Sequence, residues 1–111
     1  MKTHSRGFTI VEVIVVAVIV AVLAAVAIPK YLAYVAGTKQ DGVTNMARTV
    51  AAAANTYLRR AGTAAEAAMT TTTLNLGYVP NTYNITFSTA QHQVTVTYSG
   101  TSITATETYW P

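Results

Sequence analysis

Between residues 8 and 28 the chain reads FTIVEVIVVAVIVAVLAAVAI, and in those 21 residues only Thr9 and Glu12 carry polar side chains. At about 1.5 Å of rise per residue, the run makes a helix of roughly 31 Å, which is the thickness of a bilayer's hydrocarbon core. A helix that is apolar on every side must lie in lipid or among other apolar helices. The residues before it, MKTHSRG, are short, polar and basic. Lys2 and Arg6 at the start of the run place the N-terminus on the cytoplasmic side and send the remainder across the membrane.

Two simpler uses of the run stand beside a lasting helix. As a secretory signal peptide it has MKTHSR as its basic region and Ala25-Val26-Ala27 as its cleavage site, so that Ile28 would lead the mature chain. As a plain anchor it stays whole. Either would serve a secreted or membrane-anchored binding module. Both leave Glu12 unexplained. A carboxylate at the centre of a spanning helix costs about 2.5–3.5 kcal/mol. Near one end it costs less, but a tag or anchor gains nothing from it. The run is also longer than the usual signal-peptide core of about 7–15 residues.

Beyond the run, Pro29 removes one helical hydrogen bond and crowds the preceding turn. Gly37 and Gly42 each weaken a helix by about 1 kcal/mol relative to Ala. These three residues are where a helix break is expected. From residue 43 the helical signal is clear: Val43, Met46, Ala47, Val50, Ala54, Tyr57, Leu58 and Ala61 recur at steps of three and four and form one apolar stripe. Arg59 and Arg60 suit the last turn, and Gly62 is the stop. Thr63-Ala64-Ala65-Glu66 has capping-box spacing, which predicts a short helix from Ala64 with Thr63 as its N-cap. Leu74, Leu76 and Tyr78 are expected to pack inward along the connecting loop.

The last third alternates. Ile85 and Phe87, then Val94, Val96 and Tyr98, then Ile103, Ala105 and Tyr109 occupy every second position, mostly between threonines. Period two with one apolar face means half-buried antiparallel strands. Ser99-Gly100-Thr101 predicts the second turn, and Ala90-Gln91-His92 the first. Three strands need a partner, and the stripe of residues 43–61 supplies one. The predicted fold is therefore α+β. A long N-terminal helix, apolar in its first half and amphipathic in its second, packs on a small three-stranded antiparallel sheet. The segments are a leader at 1–7, an apolar helix at 8–29, an amphipathic helix at 30–61, a connecting loop with a short helix at 62–83, and the sheet at 84–111. Glu107 shares the parity of Ile103 and Ala105. A strand running past the helix, a register shift at a bulge, or a base such as Arg59 beside it would each account for that.

The segment Arg6-Gly7-Phe8-Thr9-Ile10-Val11-Glu12-Val13 resembles the N-terminal signature of the type IV pilin superfamily: a basic leader ending in Gly, then Phe-Thr-x-x-Glu and a long apolar helix. Ala24-Ala25-Val26-Ala27-Ile28-Pro29 is similar to the family's usual end to that run. The close resemblance covers residues 6 to about 36. It implies that a prepilin peptidase cuts after Gly7 and that Phe8 leads the mature chain and is N-methylated. The subunit then waits in the inner or cytoplasmic membrane until an assembly platform and its ATPase add it to a homo-oligomeric helical filament, the extracellular pilus. A pseudopilin or minor pilin of a secretion or DNA-uptake system is the nearest alternative within the family.

Cutting before Phe8 would free an ammonium group four residues from Glu12. Inside a bundle of apolar helices an unpaired charge costs several kcal/mol, and Glu12 of a neighbouring subunit can pair with it. Glu12 can also approach its own N-terminus. The stretch near Pro29 either unwinds when the subunit leaves lipid or simply kinks the helix.

Other chemistries find little support. With no cysteine, thiol nucleophiles, disulfides and thiolate metal sites are excluded. His4 and His92 have no ligand partner at metal spacing, no catalytic motif appears, and neither a metal, a cofactor nor an enzymatic activity is expected. Of seven bases, Lys2 and Arg6 belong to the leader; the remaining five face four acids. That near-balance does not suit a nucleic-acid binder, although Lys30, Lys39, Arg48, Arg59 and Arg60 lie along the helix. Tyr31, Tyr34 and Tyr57 suit a membrane boundary or a core better than electron transport.

Overall fold

A computed structural model of the chain describes residues 7–109. The expected leader, apart from Gly7, lies outside the described residues, as do Trp110 and Pro111 at the end of the expected sheet segment. The chain divides into two units, Met1–Val35 and Ala36–Pro111. One helix, α1 (Ile10–Ala61), contributes to both. It is continuous through Pro29, Gly37 and Gly42. The expected break at these residues is therefore absent from the isolated chain. Pro29 removes a single backbone donor, and the good helix formers around it carry the turn across.

In the first unit, α1 is sheathed in aliphatic side chains. Val11, Ile14, Val18, Val22 and Ile28 are each more than half exposed. By length and composition α1 can cross a membrane, and none of its apolar stretch is buried within the chain.

The second unit holds the core. Val43, Ala47, Val50, Ala51, Ala54 and Leu58 of α1 are buried with Met69, Leu74, Val94, Val96 and Tyr109. The stripe is the expected one with two changes. Ala51 joins it, and Ala61 is exposed because the stripe ends at Leu58. Three of the buried helix positions, 47, 51 and 54, are alanines. The sheet contains β1 (Tyr83–Ser88), β2 (Gln93–Tyr98) and β3 (Thr104–Thr108), antiparallel and in that order. Its inner rows include Ile85, Val96 and Ala105 across the strands, then Phe87, Val94 and Glu107. Gly100, at φ +75°, supplies the left-handed residue of the β2–β3 turn.

Three expectations need correction. A 3-10 helix at Thr63–Ala68 begins at Thr63 itself; its N-cap is Gly62, with no side-chain capping bond. Glu66 turns instead toward His92, whose Nδ1 lies 2.8 Å from its carboxylate. Tyr78 is 85% exposed rather than packed inward, whereas Leu74 is buried. Gly77, at φ +71°, interrupts the alternation between them. Glu107 lies on the inner face of a regular strand with no bulge, and its partner is Arg48, not Arg59, at 3.5 Å. That pair is solvent-exposed and contributes under about 1 kcal/mol.

Gly42 has a packing role that composition hides. A Cβ there would lie 2.8 Å from the Tyr83 hydroxyl. Tyr83 meets Tyr98 edge to face with ring centres 5.9 Å apart, and Lys39 Nζ lies 4.9 Å from the Tyr98 ring centre. Gln40 Nε2 donates to the Thr104 carbonyl at 3.0 Å. These contacts bring residues 39–42, just before the stripe, against the sheet.

Candidate functional site

The N-terminal site is built by the first turn of α1. Gly7, Phe8 and Thr9 precede the helix in irregular backbone, and Phe8 is 89% exposed. The peptide bond between Gly7 and Phe8 thus lies in an irregular, accessible stretch that a protease can reach. Thr9 is the N-cap. Its N–H donates to Glu12 Oε2 at 2.8 Å, and the Glu12 N–H donates to Thr9 Oγ1 at 3.2 Å. This is a reciprocal capping box. It satisfies two of the N–H groups that a helix start leaves unpaired, and it places a negative charge where the helix dipole favours one.

Sequence reasoning placed Thr9 in the signature but missed its capping role. The signal is Thr-x-x-Glu directly before an apolar run, the same capping-box spacing as at residues 63–66. It succeeds at residues 9–12, where among the described residues no tertiary partner competes for Glu12. It fails at residues 63–66 because His92 does compete.

Phe8, Glu12, Val13 and Val16 border a shallow apolar recess of about 210 Å³. The expected cleavage and methylation positions, Gly7 and Phe8, are therefore adjacent to Glu12 along one helix start. Pro29, Gly37 and Gly42 take no part in that cluster. The carboxylate has two oxygens and about four acceptor sites, so engaging the Thr9 N–H leaves capacity for a cationic donor.

A second polar cluster lies in the other unit. Glu66 accepts from His92 Nδ1 and from Tyr109, and its side chain is only 12% exposed. Burial raises the Glu66 pKa, the hydrogen bonds from His92 and Tyr109 lower it more, and the net shift is downward. Burial first, and then the Glu66 carboxylate, push the Tyr109 phenol well above its ordinary 10.0. Tyr109 also has the Ser88 carbonyl at 3.3 Å, so two acceptors face one proton, and the charged one is the stronger. The cluster joins the 3-10 helix, the β1–β2 turn and the end of β3. It ties the C-terminal end of the sheet to the 3-10 helix.

Residues 2–28 match a family model described as "Prokaryotic N-terminal methylation motif", which covers the apolar run together with the Gly7–Phe8 junction and Glu12. No curated protein and no solved structure matches the chain.

Proposed function

The chain carries the type IV pilin and prepilin signature, and from that premise we propose that it is the precursor of a filament subunit. Proteins with this motif are in general processed by a prepilin peptidase and assembled into filaments. In this reading the peptidase cuts after Gly7 on the cytoplasmic face, and the new Phe8 amine is N-methylated. The apolar half of α1 holds the subunit in the inner or cytoplasmic membrane. The assembly platform and its ATPase then move it into a helical filament of like subunits outside the cell. The reading is that of a structural subunit with no catalytic role.

One observation carries it: an exposed aliphatic helix surface with a single carboxylate at its N-terminal end. So much exposed apolar surface must be covered by lipid or by equivalent surfaces. Exchanging lipid for neighbouring helices leaves the apolar term nearly unchanged, so specificity has to come from elsewhere. The Phe8 ammonium supplies it. Buried without a partner it costs several kcal/mol, and Glu12 of an adjacent subunit removes that cost only at the correct axial stagger. Glu12 also favours a self-assembling subunit over a tip subunit.

N-terminal sequencing of the mature protein tests the processing. Phe8 supports the reading, Ile28 means a signal peptide, and Met1 means a plain anchor. Imaging a strain that makes only this subunit tests assembly; filaments are expected, and their absence from a strain with a working assembly machinery contradicts the reading.

A further inference from the structure

The outer face of the sheet carries a regular grid of neutral hydrogen-bonding side chains. Across the strands its rows read Asn84, Thr97, Thr104; then Thr86, Thr95, Thr106; then Ser88, Gln93, Thr108. All nine are uncharged, and six are threonine. Thr95 Oγ1 lies 3.2 Å from Thr106 Oγ1, and Thr86 donates to the Thr95 carbonyl at 3.4 Å, so the central hydroxyls are already aligned. Among the described residues of the second unit nothing covers this face; Asn84, Thr86, Thr104, Thr106 and Thr108 are exposed.

Resting on the filament reading above, we propose that this face is a lateral contact that meets the same face of a second copy of the chain on a neighbouring filament. The occupant follows from chemistry. A hydroxyl both donates and accepts, so a threonine grid is its own complement. A charge on a two-fold interface would instead confront its own copy at close range. The charged side chains of the unit lie elsewhere: Arg48 and Glu107 pair at the inner face, and Lys39 lies over Tyr98. Two right-twisted sheets also pack naturally face to face with strands about 30° apart. Among the described residues the face carries no aromatic ring on which a sugar could stack.

Area decides where the contact acts. Three strands of about six residues present roughly 14 Å by 20 Å, or about 300 Å² per copy. Two such faces together bury less than the roughly 800 Å² below which contacts are mostly non-specific. A single pair is therefore transient, and only repetition along two filaments makes the association lasting. The surface joins filaments side by side without dimerising free subunits.

The test uses filaments of the full chain assembled in cells and viewed by electron microscopy. Wild-type filaments are expected in lateral bundles. Thr106→Glu and Thr106→Lys filaments should each be single, since each places like charges opposite themselves. Mixing the two kinds of sheared filament should restore bundles, and raising the salt should dissolve the restored ones. Thr106→Ser should bundle normally. Thr86→Glu and Thr86→Lys repeat the design on β1 in case the β3 variants do not assemble. Bundling that survives both charges overturns the proposal. So does loss of bundling in both with no rescue on mixing, because the face would then contact something other than its own copy. Wild-type filaments that never bundle overturn it while leaving the filament reading intact; the absence of all filaments overturns that reading as well.

Discussion

Glu12 has a local partner and, in the proposed filament, a foreign one. The capping bond to Thr9 is worth about 0.5–2 kcal/mol. Stranding the Phe8 ammonium in a dry shaft costs about 3–5 kcal/mol. The larger cost should govern assembly. Glu12→Gln keeps most of the size and hydrogen bonding but removes the charge, and it should sharply reduce filament yield. Thr9→Ala keeps the charge and removes the cap; it should leave most of the yield, with slightly weaker helicity at the N-terminus. Equal losses in the two variants would mean that capping, not pairing, is what the carboxylate supplies.

The Glu66–His92–Tyr109 cluster makes a separate prediction at the same scale. The folded pKa of Glu66 lies below its ordinary 4.5. Its contribution to stability is therefore complete above that value and is lost as pH falls through the lowered one. Tyr109 is shifted the other way, so its contribution is complete below pH 10.0 and is lost as pH rises beyond it. Thermal melts in detergent should show wild type losing stability at both extremes. Glu66→Gln should be less stable by about 1–3 kcal/mol near neutrality, with a flatter acid limb. Tyr109→Phe should flatten the alkaline limb. Acid limbs of identical slope in wild type and Glu66→Gln would contradict this account.

At the scale of elements, two glycines of α1 that look alike in sequence separate in the structure. Gly37 has open space around its missing Cβ, whereas Gly42 faces Tyr83 at 2.8 Å. Gly37→Ala should stabilise the helix by about 1 kcal/mol. Gly42→Ala should gain the same propensity but lose about 1–3 kcal/mol to overpacking. Adding Tyr83→Phe removes the offending oxygen and leaves ring carbon at 3.7 Å, an ordinary contact. The double variant should then be more stable than Gly42→Ala alone. Denaturant melts of the four proteins form the cycle, and a coupling of zero would contradict the packing role.

The same contrast explains what could be read from the sequence. The 3.6-residue stripe of α1 and the period-two strands are local patterns, and they located the helix, the three strands and the face of each that turns inward. Even the misfit of Glu107 was visible from parity alone. Its Arg48 partner was not, because Arg48 and Arg59, about three turns apart on one helix, differ only in three-dimensional placement. Met69 in the core, Tyr83 against Gly42 and His92 against Glu66 were hidden for the same reason. Each joins distant segments whose own neighbourhoods are unremarkable. At the candidate site the spacing of Gly7, Phe8 and Glu12, whose roles belong to the proposed function, could be read because they lie within one helical turn or beside it. The Thr9 cap could have been.

For the whole molecule, the division of labour follows the charge and hydropathy of its two units. One unit exposes aliphatic surface and a single carboxylate, the chemistry of lipid and of packed helices. The other buries its apolar side chains and shows threonine, asparagine and a few paired charges, the chemistry of water. A chain so divided cannot remain dispersed in one solvent; it must be inserted in a membrane or assembled. The central claim is that assembly is registered by a cation and an anion from different subunits. A high-resolution electron cryomicroscopy map of the assembled filament measures it directly. The account predicts the Phe8 amine of one subunit within hydrogen-bonding distance of the Glu12 carboxylate of its neighbour. A map in which every Glu12 contacts only its own Thr9, with the Phe8 amine solvated or bonded elsewhere, would contradict it.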